Sequence, residues 1–370
     1  MLAFGAGVLA VVGCSTQISK PTDTPPAVVL SGAKYESCET APSPAKCVAE
    51  LLADEVSSKS ISTVVGVFEE NAPSFVRCHD VMHALGQVLL ERGNDPLELL
   101  QGAPQSCLAG FPHGVVEGLG MTASDEMFFS TIPKLCLSFN VDSRARTDCA
   151  HGIGHAISLR GVGNVVRAAN MCTLLATDDQ KQCAQAVFMA YTTPGAALSQ
   201  DIFVQTEKVE EAELPTLCNE LADSVEVVCW DNLWMFYPES LTAAVAYPRL
   251  QAVCATAGEF EEMCFRGAGM LLFFRTDAAA QPQNAEDLAI KMLNLAKECP
   301  SGAPEPFCVQ GVAYASTLWW GTLGRSFTEY PSPCPAFTGR VRSACVLGEK
   351  YLRDAESDPD AAVPGDLTAT

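Results

Sequence analysis

The five histidines are the residues of this chain whose type and spacing best suit chemistry, because all of them lie between residues 79 and 155. Four of them form two pairs with a spacing of four residues, and the fifth has a glutamate at the same spacing. Side chains four residues apart lie on one face of a helix, where two of them can hold one metal ion. The three segments supply six candidate ligands: His79, His83, His113, Glu117, His151 and His155.

These six candidate ligands predict a transition-metal site. Imidazole and carboxylate groups suit zinc, iron or copper. Six ligands are more than a single tetrahedral zinc ion uses, but they suffice for two ions about 3.5–4 Å apart, as in centres that activate water or oxygen. Asp80 is a further candidate ligand. The pattern predicts metal binding, either in a metal-dependent hydrolase or oxidase or without turnover, and it assigns no catalytic residue.

The segment from His79 to His83 resembles the HExxH motif of zinc proteases, with Asp80 in the place of the glutamate. In that motif the glutamate activates a metal-bound water. The shorter aspartate would not reach the same water, so the sequence does not predict a protease. The chain also contains no phosphate-binding loop, no complete GxGxxG motif and no GxSxG motif.

The 17 cysteines predict how the helices that carry these ligands are held. Without Cys14, sixteen remain, and none of them forms a CxxC motif, which argues against zinc ribbons, thioredoxin-like motifs and haem attachment. Regularly paired cysteines are typical of structural disulfides in exported proteins. The predicted close pairs are Cys38–Cys47, Cys136–Cys149, Cys172–Cys183, Cys218–Cys229, Cys254–Cys264, Cys299–Cys308 and Cys334–Cys345.

An internal repeat begins at the second cysteine of each pair. Three residues later there is usually a glycine, and six residues later a larger side chain. This spacing fits one face of a helix, and the glycine allows a neighbouring helix to approach closely. We therefore expect each repeat to be a hairpin, in which one helix ends at the first cysteine and the next begins at the second. The predicted glycine positions are Gly110, Gly152, Gly267, Gly311 and Gly348.

Repeats of this kind predict an all-α fold, an αα-solenoid of disulfide-stapled helical hairpins over residues 38–353. The second helices of successive hairpins would lie side by side. Cys78 and Cys107 each begin such a helix without a partner inside their own hairpin. Because the ends of neighbouring helices lie about one helix diameter apart, we expect these two cysteines to bond to each other.

The repeat places the three ligand segments on consecutive helices, within the histidine-rich part at 78–156. Two irregularities could move one pair out of line: Pro112 would be the first residue of its helix, and His79 and His83 lie one residue early in the repeat. A second interpretation stays open, because His113 and His155 occupy a position where other repeats carry Met or Tyr. In that interpretation the histidines are ordinary core residues.

The predicted architecture resembles the tetratricopeptide-like helical repeats, although their consensus motif is absent. The alternative to a metal-binding function is a non-catalytic scaffold, in which the concave face of the solenoid binds a protein or a glycan and the histidines are structural. Nucleic acid is not a predicted partner, because the net charge is −21 and the chain lacks clusters of Lys and Arg.

The N-terminal sequence predicts the cellular location. The apolar run that ends in Val11-Val12-Gly13-Cys14 resembles the lipobox of bacterial lipoproteins. The resemblance implies a signal peptide over residues 1–13 and lipidation of Cys14, which would anchor the protein to a membrane on the extracytoplasmic side. An ordinary cleaved signal peptide is the alternative. Residues 14–37 would then form a proline-containing tether, and residues 354–370 a disordered acidic tail.

Overall fold

The computed structural model describes residues 34–101, 103–104, 107, 110–140, 143–160, 164–192, 209–237, 241–275, 284–322 and 329–357. Within these ranges the chain contains helices and no strand, so the prediction of an all-α fold is confirmed. The predicted signal peptide, Cys14 and residues 358–370 of the predicted tail lie outside the described residues. None of the described helices has both the length and the hydrophobicity that a membrane span requires.

One series of helices, here called the stacking helices, forms the body of the protein. Each stacking helix packs against the preceding one, from the first to the last. This is the side-by-side arrangement that the repeat predicts, with a continuous hydrophobic core along the stack. The stacking helices are α1 (Pro44–Val56), α3 (Cys78–Glu91), α5 (Gly110–Thr122), α7 (Arg144–Leu159), α9 (Thr177–Thr192), α11 (Asp223–Asn232), α13 (Glu261–Phe274), α15 (Glu305–Thr322) and α16 (Gly339–Ser357).

Shorter helices connect the stacking helices and complete the hairpins. Several of them end in a 3-10 turn that carries the first cysteine of a pair, as at Cys136 and Cys172. The connecting helices are α2 (Ile61–Asn71), α4 (Pro96–Gln101), α6 (Asp125–Leu135), α8 (Val165–Met171), α10 (Leu214–Asn219), α12 (Ala243–Cys254) and α14 (Ala285–Ala296).

Eight disulfides close this framework, and they join the cysteine pairs that the sequence predicts. Seven lie within hairpins. The eighth joins Cys78, at the start of α3, to Cys107, just before α5. It therefore connects two neighbouring stacking helices, as the geometry of the stack requires.

The prediction that each stacking helix begins at the second cysteine is wrong. In the seven hairpin pairs the second cysteine lies inside the stacking helix, within its first two turns. For example, α7 begins at Arg144, ahead of Cys149. The local reason is a helix cap: the Ser143 hydroxyl accepts a hydrogen bond from the backbone N–H of Arg146 at 3.2 Å. Such a cap determines where a helix begins more directly than a disulfide does.

Residues described by the structure also flank the predicted repeat domain on both sides. Tyr35, assigned to the tether, is fully buried and packs edge-on against Phe68, with ring centroids 5.8 Å apart. A 3-10 helix follows at once, from Glu36 to Cys38. At the other end, α16 continues to Ser357, past the predicted start of the tail at 354.

Close contact between backbones holds the stacking helices together. A Cβ atom added to Gly311 of α15 would collide with the carbonyl oxygen of Arg266 in α13. The repeat places Gly348 of α16 in the same way against the carbonyl of Gln310 in α15. The glycine three residues after the cysteine is therefore the point where each of these helices touches the one before it.

Buried ion pairs add a second kind of link between neighbouring stacking helices. Arg146 of α7 donates two hydrogen bonds to the carboxylate of Asp179 in α9, at 2.8 and 3.0 Å. Arg266 of α13 likewise donates two hydrogen bonds to the carboxylate of Asp231 in α11, at 2.7 and 2.6 Å. Such pairs require one relative position of the two helices, so they help to set the register of the stack.

The close approach at Gly311 predicts a specific cost of adding one methyl group. We expect Gly311→Ala to lower the free energy of unfolding by about 1–3 kcal/mol, because α15 must move away from α13. The matched control is Gly66→Ala in α2, where a Cβ atom meets nothing within 4 Å. There the better helix propensity of alanine should raise stability by about 1 kcal/mol. Urea denaturation measures both changes, and equal effects at the two sites would contradict the packing described here.

Candidate metal centre

Three consecutive stacking helices position all six predicted ligands. α3 carries His79 and His83, and α5, which packs between α3 and α7, carries His113 and Glu117. The remaining two, His151 and His155, lie on α7. Ring contacts and hydrogen bonds connect the six side chains into one cluster, here called the histidine cluster.

Glycines bring the three helices together at the depth of the histidine cluster. A Cβ atom at Gly114 of α5 would collide with the carbonyl oxygen of His83 on α3. On the other side, a Cβ atom at Gly152 of α7 would lie 3.1 Å from the Cα atom of His113. The helices therefore cross most closely where they carry histidines, and the imidazole rings have to occupy the space beside these contacts.

His79 and His83 each use one ring nitrogen to contact a protein oxygen. Nδ1 of His79 lies 2.9 Å from the backbone carbonyl oxygen of Cys107. Nδ1 of His83 lies 3.0 Å from Oε2 of Glu117. A carbonyl and an ionised carboxylate only accept hydrogen bonds, so both Nδ1 atoms must be the donors. When both rings are neutral, the lone pairs are therefore on the two Nε2 atoms.

The two Nε2 atoms face each other at a distance of 3.1 Å. Two lone pairs this close repel each other unless a cation lies between or beside them. A metal bound about 2.0–2.1 Å from each nitrogen would give an N–metal–N angle of about 100°, which is close to tetrahedral. The pair therefore has the spacing of two ligands on one transition-metal ion.

His113 completes a set of three nitrogen ligands. One ring nitrogen from each of His79, His83 and His113 lies within 4.8 Å of the others. The ring of His113 is buried, and neither of its nitrogens has a hydrogen-bond partner among the residues that the structure describes. A buried polar group left without a partner costs about 1–3 kcal/mol. A metal ion would remove part of this cost.

His151 and His155 lie on α7, next to His113. Their ring centroids are 4.9 Å apart, and they lie 5.0 and 5.8 Å from the ring centroid of His113. The ring of His155 also lies near His83, with centroids 6.3 Å apart. His155 is buried, and its Nδ1 atom has no hydrogen-bond partner within the described ranges. His113 is therefore in ring contact with both histidine pairs, one on each neighbouring helix.

Two residues that sequence reasoning missed support the cluster. The side-chain amide of Gln87 donates a hydrogen bond of 2.9 Å to Oε2 of Glu117, the same oxygen that accepts from His83. Gln87 follows His83 by four residues, so the helical spacing could have identified it. The Cys107 carbonyl could not be predicted, because a backbone group leaves no signal in the sequence. Carboxylates, amides and carbonyls of this kind orient metal-binding histidines in known sites.

Asp80, predicted as a further ligand, does not join the histidine cluster. Its carboxylate accepts a hydrogen bond of 2.8 Å from Nε of Arg77, and it is not among the described side chains whose ligand atoms converge with those of His79 and His83. The reason is geometric, because neighbouring residues on a helix point in directions about 100° apart.

The predicted irregularities did not separate the ligand pairs. α5 begins at Gly110, so Pro112 is its third residue and not its first. Proline is tolerated there because the first four N–H groups of a helix have no partner within the helix. Cys107 lies before α5 with a φ of 53°. Because Cys107 precedes the helix, it can bond to Cys78 while His113 lies beside His83.

Burial favours the uncharged state of the imidazoles, which is the state that binds metal. Burial, together with the neighbouring imidazoles, lowers the pKa of His79 to about 3 and that of His155 to about 3. The same causes hold the pKa of His113 well below its usual range. Burial alone would raise the pKa of Glu117, but its interactions with His83, including the hydrogen bond, outweigh burial, so that this pKa is lowered.

Two other groups of potential ligands occur in the described part of the chain, but each contains a disulfide. One combines Glu69 with Cys78 and Cys107, and the other combines Glu349 with Cys334 and Cys345. The thiolates that a metal needs are not available while these bonds are intact. The histidine cluster is therefore the candidate centre in the oxidised protein.

Comparison with models of protein families, with curated proteins and with solved structures finds no match to this chain. The assignment of a function therefore depends on the geometry of the histidine cluster and on the disulfides.

The low pKa values of the buried imidazoles predict that the metal-free protein loses stability in acid. The folded form keeps His79 and His155 neutral down to a pH of about 3, whereas the ordinary pKa of a histidine is 6.5. Between these limits the unfolded chain binds more protons, so stability is complete above about pH 6.5 and falls as the pH falls towards 3. The urea midpoint, measured in the presence of a chelator, should therefore be lower at about pH 4.5 than at about pH 7.5.

The matched variant for this prediction is His155→Gln, which keeps a polar side chain but cannot be protonated in this range. Its urea midpoint should depend less steeply on pH than that of the unchanged protein. An equal slope for the two proteins would show that His155 is not held in its neutral form.

Proposed function

We propose that this protein binds a transition-metal ion on the extracytoplasmic side of the cell. The ion is held by Nε2 of His79, Nε2 of His83 and a ring nitrogen of His113. The observation that carries the proposal is the pair of Nε2 atoms 3.1 Å apart, in rings whose Nδ1 atoms both face acceptors. Glu117 and the Cys107 carbonyl orient the two rings, as outer-shell groups do in metal sites.

A proton shared between the two Nε2 atoms is the competing explanation of their short distance. It would make the pair a simple hydrogen bond and the histidines a polar element of the core. That explanation leaves His113 with two buried nitrogens that have no partner within the described residues. A metal ion accounts for the short distance and also uses a nitrogen of His113, so it explains more of the cluster.

The proposed ligand set also indicates what the ion could do. Three neutral imidazoles suit zinc, copper or iron. Three protein ligands leave one position of a tetrahedral ion open. Catalytic zinc sites have three protein ligands, whereas structural zinc sites have four. An ion with an open position can bind and activate water, so the proposal is compatible with a hydrolytic or oxidative reaction at the centre.

The cellular location is inferred from the cysteines. Eight disulfides in one chain are typical of an oxidising compartment outside the cytoplasm. We further propose that Cys14 carries a lipid, on the basis of its lipobox-like sequence. A lipid on Cys14 would hold the helical stack at a membrane surface through the segment that follows it.

The metal proposal predicts that the purified, oxidised protein takes up zinc or copper after chelation and dialysis. We expect His79→Ala/His83→Ala to lose high-affinity binding, because two of the three ligands of the proposed ion are removed. Elemental mass spectrometry after gel filtration measures the metal, and circular dichroism measures the fold. Met127→Ala is the control, since Met127 is 55% exposed on α6 and should bind metal like the unchanged protein.

The same samples test the open position. Azide added to the copper-loaded protein should produce a new ligand-to-metal absorption band if a coordination site is free. If the folded, unchanged protein takes up no metal, the metal proposal is wrong. The alternative of a repeat scaffold that binds a protein or glycan would then remain.

Lipidation predicts that the protein is released from membranes when Cys14 is replaced. In a bacterial host, Cys14→Ser should move the protein from the membrane fraction to the soluble exported fraction, because an acyl chain and not a helix provides the anchor. Mass spectrometry of the N-terminal peptide should show acyl groups on Cys14 in the unchanged protein. An unmodified N-terminal peptide, cut elsewhere, would contradict the proposal and indicate an ordinary signal peptide.

A further inference from the structure

We propose that His113 is shared between two metal ions, the second of which is held by His151 and His155. This inference rests on the proposed function, since the first ion is the one bound by His79, His83 and His113. It changes the centre from a single ion to a pair, in which the ring of His113 is the bridge.

Four of the six distances between the rings lie in the range expected for two sets of three ligands, and the other two are up to 0.7 Å longer. A ring centroid lies about 3.2 Å from an ion bound to its nitrogen, so two rings at 90–110° on one ion have centroids about 4.5–5.2 Å apart. In the set around His79 and His83 the centroid distances are 4.5, 5.2 and 5.9 Å. In the set around His151 and His155 they are 4.9, 5.0 and 5.8 Å. The ring of His113 belongs to both sets.

The state of the His113 ring supports its role as a bridge. A neutral imidazole has one donor and one acceptor nitrogen, and in this buried ring both lack a hydrogen-bond partner among the described residues. Binding of the first ion satisfies one nitrogen and leaves the other without a partner. The second nitrogen is satisfied when it loses its N–H proton to the solvent and binds the second ion, which makes the ring an imidazolate.

Glu117 offers only one carboxylate oxygen without a hydrogen-bond partner among the described residues, Oε1. Its Oε2 atom already accepts hydrogen bonds from His83 and Gln87, so one of its oxygens is committed to orienting a ligand. A carboxylate bridge would give the metal separation of about 3.5–4 Å that the sequence suggests. A bridge through the two nitrogens of an imidazole places the ions farther apart, at about 6 Å for bonds of normal length.

The second set is more open than the first. The nitrogens of His79, His83 and His113 lie within 4.8 Å of one another, and the set that includes His151 and His155 does not meet this limit. The second ion therefore has to draw the rings inward. His151 is only partly buried, so its ring can turn about the side-chain bonds more easily than the enclosed ring of His155.

The test uses copper(II), because two copper(II) ions joined by an imidazolate couple antiferromagnetically and lose most of their paramagnetic resonance signal at liquid-helium temperature. The oxidised full-length protein is titrated with copper, and both the bound copper and the number of detectable spins are measured. We expect two bound ions per chain and a spin count far below two. We expect His151→Ala/His155→Ala to bind one ion and to show the full signal of one uncoupled spin.

Each result has one meaning. No bound copper in the folded protein would overturn the metal site itself. One bound ion per chain in the unchanged protein would leave the proposed function intact and overturn the second site. Two ions with the full signal of two spins would overturn the bridge. Circular dichroism and thermal unfolding, with Met127→Ala as the matched control, show whether the double variant keeps its fold; if it does not, His155→Gln replaces it in the same titration.

Discussion

The constraint on which this structure depends is the contact between the backbones of successive stacking helices. Glycines such as Gly114 and Gly311 leave no room for a Cβ atom at these crossings, and Gly152 leaves little. The disulfides close the hairpins, and the Arg146–Asp179 ion pair helps to set the register of α7 against α9. Because several repeats make this contact at a related position, side chains at equivalent positions on their helices are brought side by side.

The histidine cluster is a consequence of this alignment. On α5 and α7 the aligned positions carry His113 and His155 where later repeats carry residues such as Met270 and Tyr314, and on α3 His83 lies one residue early in the repeat. A stack that needed only a hydrophobic core would bury apolar side chains here, since buried polar groups are costly unless they find partners. The nitrogens of His113 and the Oε1 atom of Glu117 have no hydrogen-bond partner in the described part of the chain. A cation bound among them is the simplest chemical reason for retaining them.

Much of this arrangement could be predicted from the sequence, because it depends on short-range spacing. The hairpin disulfides join cysteines close in sequence, and the i, i+4 histidine pairs need only one helix. The starts of helices were predicted less well, since Ser143 starts α7 ahead of Cys149. The burial of Tyr35 and the acceptor role of the Cys107 carbonyl could not be predicted, because both depend on contacts between distant residues.

The most direct test of the metal centre is anomalous diffraction from crystals of the zinc-loaded protein, recorded on both sides of the zinc absorption edge. The account predicts an anomalous peak about 2.0–2.1 Å from Nε2 of His79 and from Nε2 of His83, with the His113 ring turned towards it. A map without a peak in the histidine cluster, or with zinc only at surface carboxylates, would contradict it. In that case the 3.1 Å contact between the two rings would be a hydrogen bond within the core.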